Sequence, residues 1–347
     1  MKFTGMLFSA AILLTAATRA HADPTPEDPA GSRPPPPVAA ANRQSRDDAW
    51  WTGPLLAASP GTLARGHWLL EPYVFDAIPR GHYDRDGTRR PGPHSNNFGS
   101  QSYILYGLLD RVSVGLIPRF GFNDPSEGRG SSKVGIGDLT LQAQYGLTRF
   151  QEGSWVPTTA ILFQETLPLG KYDQLGERPA DGLGAGAYSS TFAFYSQYFF
   201  WMPNGRILRT RLDFSYSISG SAPVRDVSVY GTDAGFKGRA RPGNSLGIDA
   251  AWEYSLTRNW VLAFDVVYQH DSNTHVAGID LRTAGGGGVA PAQIQLNSGP
   301  GHTWSLAPAI EYNFNSRVGI IAGAKFTVAG QNAGAVVIPV AAVNIVI

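Results

Sequence analysis

Between residues 207 and 220 the chain reads I-L-R-T-R-L-D-F-S-Y-S-I-S-G. Every second residue forms one set: Leu208, Thr210, Leu212, Phe214, Tyr216 and Ile218. The other set is Ile207, Arg209, Arg211, Asp213, Ser215 and Ser217. Successive side chains of a strand point to opposite faces, so this stretch predicts a strand with one greasy and one charged face. The turn signal Asn204-Gly205 stands just before it. Such a strand fits a soluble sandwich or a membrane barrel, and the rest of the chain decides between them.

About twelve strands are expected in all: 67–78, 99–109, 112–122, 135–148, 155–167, 187–201, 207–220, 245–257, 260–269, 302–314, 318–329 and 335–347. Several alternate nearly as well as the first. Leu246, Ile248, Ala250, Trp252, Tyr254 and Leu256 oppose a set that includes Asp249 and Glu253. The links between strands take turns in length. Tight ones fall at 110–111, 151–154, 202–206, 258–259 and 315–317; long ones fall at 79–98, 123–134, 168–186, 221–244 and 276–301, and a short link at 330–334 comes last. Short turns on one side and long loops on the other are the pattern of an all-β, up-and-down, antiparallel transmembrane barrel. Both ends lie on the periplasmic side, which requires an even strand number, and twelve satisfies it.

Aromatic residues sort by height. Trp68, Trp155, Trp201, Trp252 and Trp260 lie near the expected periplasmic ends, and Tyr188, Tyr216 and Tyr268 near the opposite ends. Two such belts mark the two membrane interfaces. Only 16% of residues are charged and 11% are aromatic, with 41 Gly; globular proteins carry about 25% charged residues. A formal net charge of +1 gives no reason to expect a nucleic-acid partner. The absence of Cys excludes disulfides and thiolate chemistry. Closure of the sheet supplies stability instead, since hydrocarbon tolerates no unpaired strand edge.

The N-terminus gives the compartment. An apolar run over 7–17 and Ala20-His21-Ala22 read as a signal peptide over 1–22. A run of that length falls short of the ~20 helical residues a membrane span needs. Residues 23–65, which include four consecutive prolines at 34–37, read as a disordered periplasmic leader with Trp50 and Trp51 placed to touch the body. The barrel follows over 66–347, in the outer membrane of a Gram-negative cell. The partners implied are outer-membrane lipid and lipopolysaccharide, the barrel-assembly machinery and a small-molecule solute.

Two short elements carry a family resemblance. Residues 134–147 read V-G-I-G-D-L-T-L-Q-A-Q-Y-G-L, and residues 163–172 read F-Q-E-T-L-P-L-G-K-Y. They resemble the G-x-G-D strand and the downstream L-P-x-G element of the meta-pathway phenol-degradation outer-membrane proteins, often labelled transporters. The resemblance implies a barrel that passes small aromatic or otherwise apolar molecules.

If the greasy face meets lipid, the opposite set lines the lumen: Arg119, Asp138, Glu165, Arg209, Arg211, Asp213, Asp249, Glu253, Asp265, Glu311 and Lys325. These groups either pair across the lumen and close it, or form a charged eyelet that filters solutes. Arg209 and Arg211, facing Asp249 and Glu253, are the best placed for either role. The rival reading is a lipid hydrolase. His270 and Ser272 stand two apart in Y-Q-H-D-S-N, the H-x-S-N pattern of outer-membrane phospholipases and lipid A deacylases. No carboxylate stands clearly at the required parity beside them, and a rim loop is also rich in these residue types. A closed structural or adhesive barrel is the third reading. No cofactor or metal motif is present: the seven His are scattered, and Asp84-Arg85-Asp86-Gly87 lacks the rest of a calcium loop.

Overall fold

The computed structural model describes residues 43–284 and 291–347. The expected signal peptide, the leader as far as residue 42 and the glycine run 285–288 lie outside the described residues. Twelve antiparallel strands close into one barrel. They are β1 (Trp68–Asp76), β2 (Ser95–Leu109), β3 (Val112–Ile117), β4 (Leu139–Thr148), β5 (Thr158–Leu167) and β6 (Ser189–Trp201), followed by β7 (Ile207–Ser219), β8 (Ser245–Ser255), β9 (Trp260–Asp271), β10 (Gly301–Asn313), β11 (Val318–Gln331) and β12 (Ala333–Val346). Each strand pairs with its sequence neighbours, and β1 closes the ring against β12, with Leu69 opposite Val346 and Phe75 opposite Val340. Ile78–Tyr83 extends β1 and Arg119–Pro125 extends β3 on the extracellular side.

The two faces are inverted relative to a water-soluble protein. On β9, Asp265 has no exposure while its neighbour Phe264 is 37% exposed; on β10, Glu311 has none while Ile310 is 42% exposed. Charged groups turned in and large apolar groups turned out suit a barrel whose outer wall meets hydrocarbon. Among the described residues no helix is long and apolar enough to cross a membrane, and the strands do the crossing.

Residues 43–65 are not a flexible leader. They enter beside the periplasmic turns, rise inside the barrel and return to the β2–β3 turn before β1 begins. Gln44 N–H donates to Gly205 O at 2.9 Å and Trp50 N–H to Arg258 O at 3.0 Å, both at the entrance. Leu55 and Ala57 are buried mid-barrel. Leu63 N–H donates to Ser113 Oγ at 2.8 Å on the way out. This strap fills space that the barrel's inner wall leaves by using small residues. Leu55 packs on Ala263, Ala307, Ile321 and Ala342. A Cβ at Gly319 would stand 2.1 Å from Thr52 Oγ1, so no larger residue fits there while the strap is in place. Gly319→Val is therefore expected to displace residues 50–54 and to make the strap cleavable by protease from the periplasmic side, while the barrel itself stays resistant.

Candidate functional site

The lumen wall holds the strap through carboxylates. Thr52 and Gly53 N–H donate to Glu311 Oε2 at 2.7 and 3.2 Å. Pro54 has no N–H to give. Leu55 N–H donates to Asp265 Oδ2 at 3.1 Å, and Leu56 and Ala57 N–H donate to Oδ1 at 3.2 and 3.0 Å. Ala58 N–H donates to Asp213 Oδ2 at 2.7 Å. A strap that runs across a barrel has no strand partner for these amides, and buried amides need acceptors. Three carboxylates from β10, β9 and β7 provide them as charge-assisted hydrogen bonds. Gln144 of β4 completes the cradle, its Nε2 donating to Ser59 O at 3.0 Å.

Cations lock the same layer. Arg209 and Glu253 face each other across β7 and β8 and form a two-pronged pair, with Arg209 Nε donating to Glu253 Oε2 at 2.6 Å. The Arg209 guanidinium also lies 4.5 Å from the ring centre of Trp51 in the strap. Arg211 Nη1 donates to Ala57 O at 2.8 Å, its Nε donates to Gln197 Oε1 at 3.1 Å, and its Nε lies 3.6 Å from Glu253. Asp213 and Asp249 are cross-strand partners, and Lys325 on β11 is buried within electrostatic reach of Asp249, Asp271 and Asp265. Beside the strap the inner wall carries Tyr73, which packs on the Leu55 cluster, Tyr195, which stands opposite Asp213, and Tyr103; the rings of Tyr73 and Tyr103 meet edge to face with centres 5.8 Å apart.

Among the residues expected to line the lumen, Glu165 and Asp138 are placed otherwise. Glu165 lies on the outer face near the extracellular rim, in step with exposed Ile161 and Phe163, and accepts from Ser190 Oγ at 2.5 Å. The alternation of β5 runs unbroken into it, so it does not turn inward. Arg119 keeps the inward parity of Ile117 and Gly121 at the extracellular end, where it is exposed and within electrostatic reach of Tyr103 and Asp138. Asp138 is buried but does not line a passage: its Oδ1 accepts from Gly170 N–H at 2.9 Å and its Oδ2 from Ala185 N–H at 2.8 Å. The Asp of the G-x-G-D element thereby holds the Gly of the L-P-x-G element, and with it loop 168–188. Asp138→Ala would leave both amides without their acceptor, and a loss of ~1–3 kcal/mol is expected in urea unfolding.

In the aromatic belts, Trp68, Trp252 and Trp260 face outward at the periplasmic end, with Tyr216 and Tyr268 near the other end. Trp155 and Tyr188 are exposed in the links beside their strands. Trp201 is a correction. It shares the inward face with Phe199 and Ile207, its Nε1 donates to Gln44 O at 2.9 Å, and Arg43 stacks on its ring at 3.7 Å. Its task is to hold the strap, which the sequence assigned to the leader.

His270 and Ser272, the pair of the rival hydrolase reading, stand at the extracellular end of β9. Ser272 Oγ accepts from Asn244 N–H at 2.7 Å and Ser272 N–H donates to Asn244 O at 2.8 Å, which closes the rim between β8 and β9. His270 is paired with Leu246 and His302 in the ladders. Asp84 is likewise occupied. Its Oδ1 accepts from Thr88 and Asp86 N–H at 2.9 and 3.0 Å, and its Oδ2 binds Arg90 at 3.0 Å. The Thr88 amide first, then Arg90, holds this carboxyl below its usual range.

Residues 73–335 match the model of the family described as "Putative MetA-pathway of phenol degradation". The chain belongs to this family. It is an outer-membrane β-barrel, and the match spans both stretches that Asp138 joins. No curated protein sequence matches it. Among solved structures, an outer-membrane channel from Pseudomonas putida F1 superposes with a TM-score of 0.59 at 15% identity, over 84% of this chain and 100% of that one, which establishes a shared fold. The Pseudomonas putida toluene transporter TodX overlaps 88% of this chain and 95% of its own at 12% identity, but its TM-score of 0.37 is too low to bear on this family member.

Proposed function

We propose that this protein is a passive outer-membrane channel for small aromatic or otherwise apolar solutes, with its bore set by its own N-terminal strap. The observation that carries this reading is the strap itself. A closed barrel with a purely structural task needs no separate chain segment threaded through it. Here six backbone amides dock on three wall carboxylates without pairing into the sheet that they cross. Such a segment can close a passage in its docked place and shift to let a small molecule by, while leaving the wall intact. The tyrosines beside it offer a solute ring faces and hydroxyls together. The family description, phenol degradation, fits that solute class, and the fold neighbour is itself described as a channel.

The reading places no catalytic step on the barrel. Ser272→Ala is expected to leave solute passage unchanged and to alter no fatty-acid release, because its hydroxyl serves the rim. The decisive assay is the initial uptake of labelled phenol by cells with an intact lipopolysaccharide leaflet. Expression of the barrel should raise the rate, and an uncoupler should leave that gain in place. No gain over control cells would end the proposal. Fatty-acid release that disappears in Ser272→Ala would put the hydrolase in its place.

A further inference from the structure

Above the membrane wall stands a second sheet, made of Ala222–Arg225, Phe236–Arg241, His275–Asp280 and Ala292–Asn297. Its strand order repeats that of β7, β8, β9 and β10 directly below, and each strand continues one of them after a short break. One face of this sheet is buried: Val224, Phe236, Ala240 and Val276 form a cluster with Tyr230, packed against Tyr172. Tyr172 belongs to loop 168–188, and Tyr230 Oη donates to Ala185 O of the same loop. That loop crosses the barrel mouth. Its Leu183 lies against Gly121 and Gly135 on the far wall, and its Ala180 O accepts from Asn123 Nδ2 at 2.9 Å. The buried face therefore looks toward the barrel axis, and the other face looks away from it.

The outward face is basic. Arg225, Lys237, Arg239 and Arg241 are all exposed. Lys237, Arg239 and Arg241 occupy alternate positions of one strand, ~7 Å apart, and the register sets Arg225 directly beside Lys237. None of the ion pairs among the described residues includes any of the four. Of the nearby carboxylates, Asp226 Oδ1 accepts from Gly235 N–H at 2.8 Å, Asp280 binds Arg282, Asp173 Oδ2 accepts the Arg225 backbone N–H at 3.0 Å, and exposed Asp233 lies within electrostatic reach of Arg282. Just below, the lipid-facing side of the same wall ends in Tyr216, Ile218, Leu246 and Tyr268.

Four cations thus project sideways from the wall, immediately beyond the upper aromatic belt. In an outer membrane that height is occupied by the phosphorylated head of the outer-leaflet glycolipid. We infer that Arg225, Lys237, Arg239 and Arg241 form a docking face for the phosphate groups of lipopolysaccharide. Guanidinium forks match phosphate oxygens two at a time, and each cation at an anionic membrane surface adds to the attraction. The row continues the barrel wall on four strands, so glycolipid bound there would fix the height of the barrel and brace the sheet that stands over the mouth.

The test uses full-length folded barrel in detergent and measures the binding of purified lipopolysaccharide. The comparison is with Lys237→Glu/Arg239→Glu/Arg241→Glu and with the neutral set Lys237→Gln/Arg239→Gln/Arg241→Gln, each checked for heat-modifiable migration as a sign of closure. Binding should fall at least ten-fold in the first variant and by an intermediate factor in the second. Phosphatase-treated lipopolysaccharide should bind the unaltered protein as weakly as the intact glycolipid binds the first variant, and added salt should weaken binding. If the charge-reversed barrel does not close, the neutral set decides alone. Equal binding by all proteins, or undiminished binding of the dephosphorylated glycolipid, would overturn the inference. So would a soluble anionic polysaccharide that binds the same residues more tightly than lipopolysaccharide.

Discussion

Removal of residues 43–62 is expected to raise the single-channel conductance of the refolded barrel several-fold, the largest functional change available from one alteration. The strap crosses the lumen at the depth of Asp213, Asp265 and Glu311, and its departure exposes those carboxylates to the aqueous path. Rings of acidic side chains favour cations, so the widened channel should also become more cation-selective. The wall does not depend on the strap for its pairing, because all twelve strands bond to neighbours in the ring. The deleted barrel should therefore still close and migrate as a folded species. Unchanged conductance with a closed barrel would mean that the strap is not the constriction.

Arg209→Ala is expected to give the largest loss of stability, ~3–5 kcal/mol in urea unfolding, because it leaves Glu253 buried without its main partner. The Glu253 side chain has no exposure and that of Arg209 is 9% exposed, so water cannot take over. Arg211 stays 3.6 Å from Glu253 and recovers part of the loss. Removing both charges together, as Arg209→Met/Glu253→Leu, should cost much less than the sum of the single changes. The double variant also separates two roles of Arg209. Its contact with Trp51 is lost in every case, so conductance should rise in the double variant even where stability recovers. A single variant as stable as the unaltered barrel would show that the pair contributes no stability.

The barrel was legible because its outer wall obeys one rule along every strand. Residues 207–220 show it plainly, and the alternation there places Arg209, Arg211 and Asp213 in the lumen, as found. The tight turns were legible for the same reason, since a change of strand direction needs Asn204-Gly205 or Arg258-Asn259 at fixed points. What alternation cannot give is the content of the lumen. A strap has no periodicity, and its bonds go to carboxylates far away in sequence. A weaker signal was present: residues 49–64 carry no charge, unlike the segment before them, and Trp50 and Trp51 open that run. Trp201 was misplaced because its partner is the strap. Glu165 faces outward although charged, because Ile161 and Phe163 set the parity of its strand.

In the proposed function solute passes through the barrel and the strap controls the passage. The chain has no cysteine, so a strap lock can be introduced cleanly as Leu55→Cys/Ala307→Cys, two members of one buried cluster. The measurement is the initial rate of labelled phenol uptake by cells that carry this variant, first oxidised and then reduced. A strap that must shift for solute to pass predicts uptake at the level of control cells when the disulfide is closed, and recovery to the unlocked rate after reduction. Equal uptake in the two states, with the cross-link verified, would contradict it.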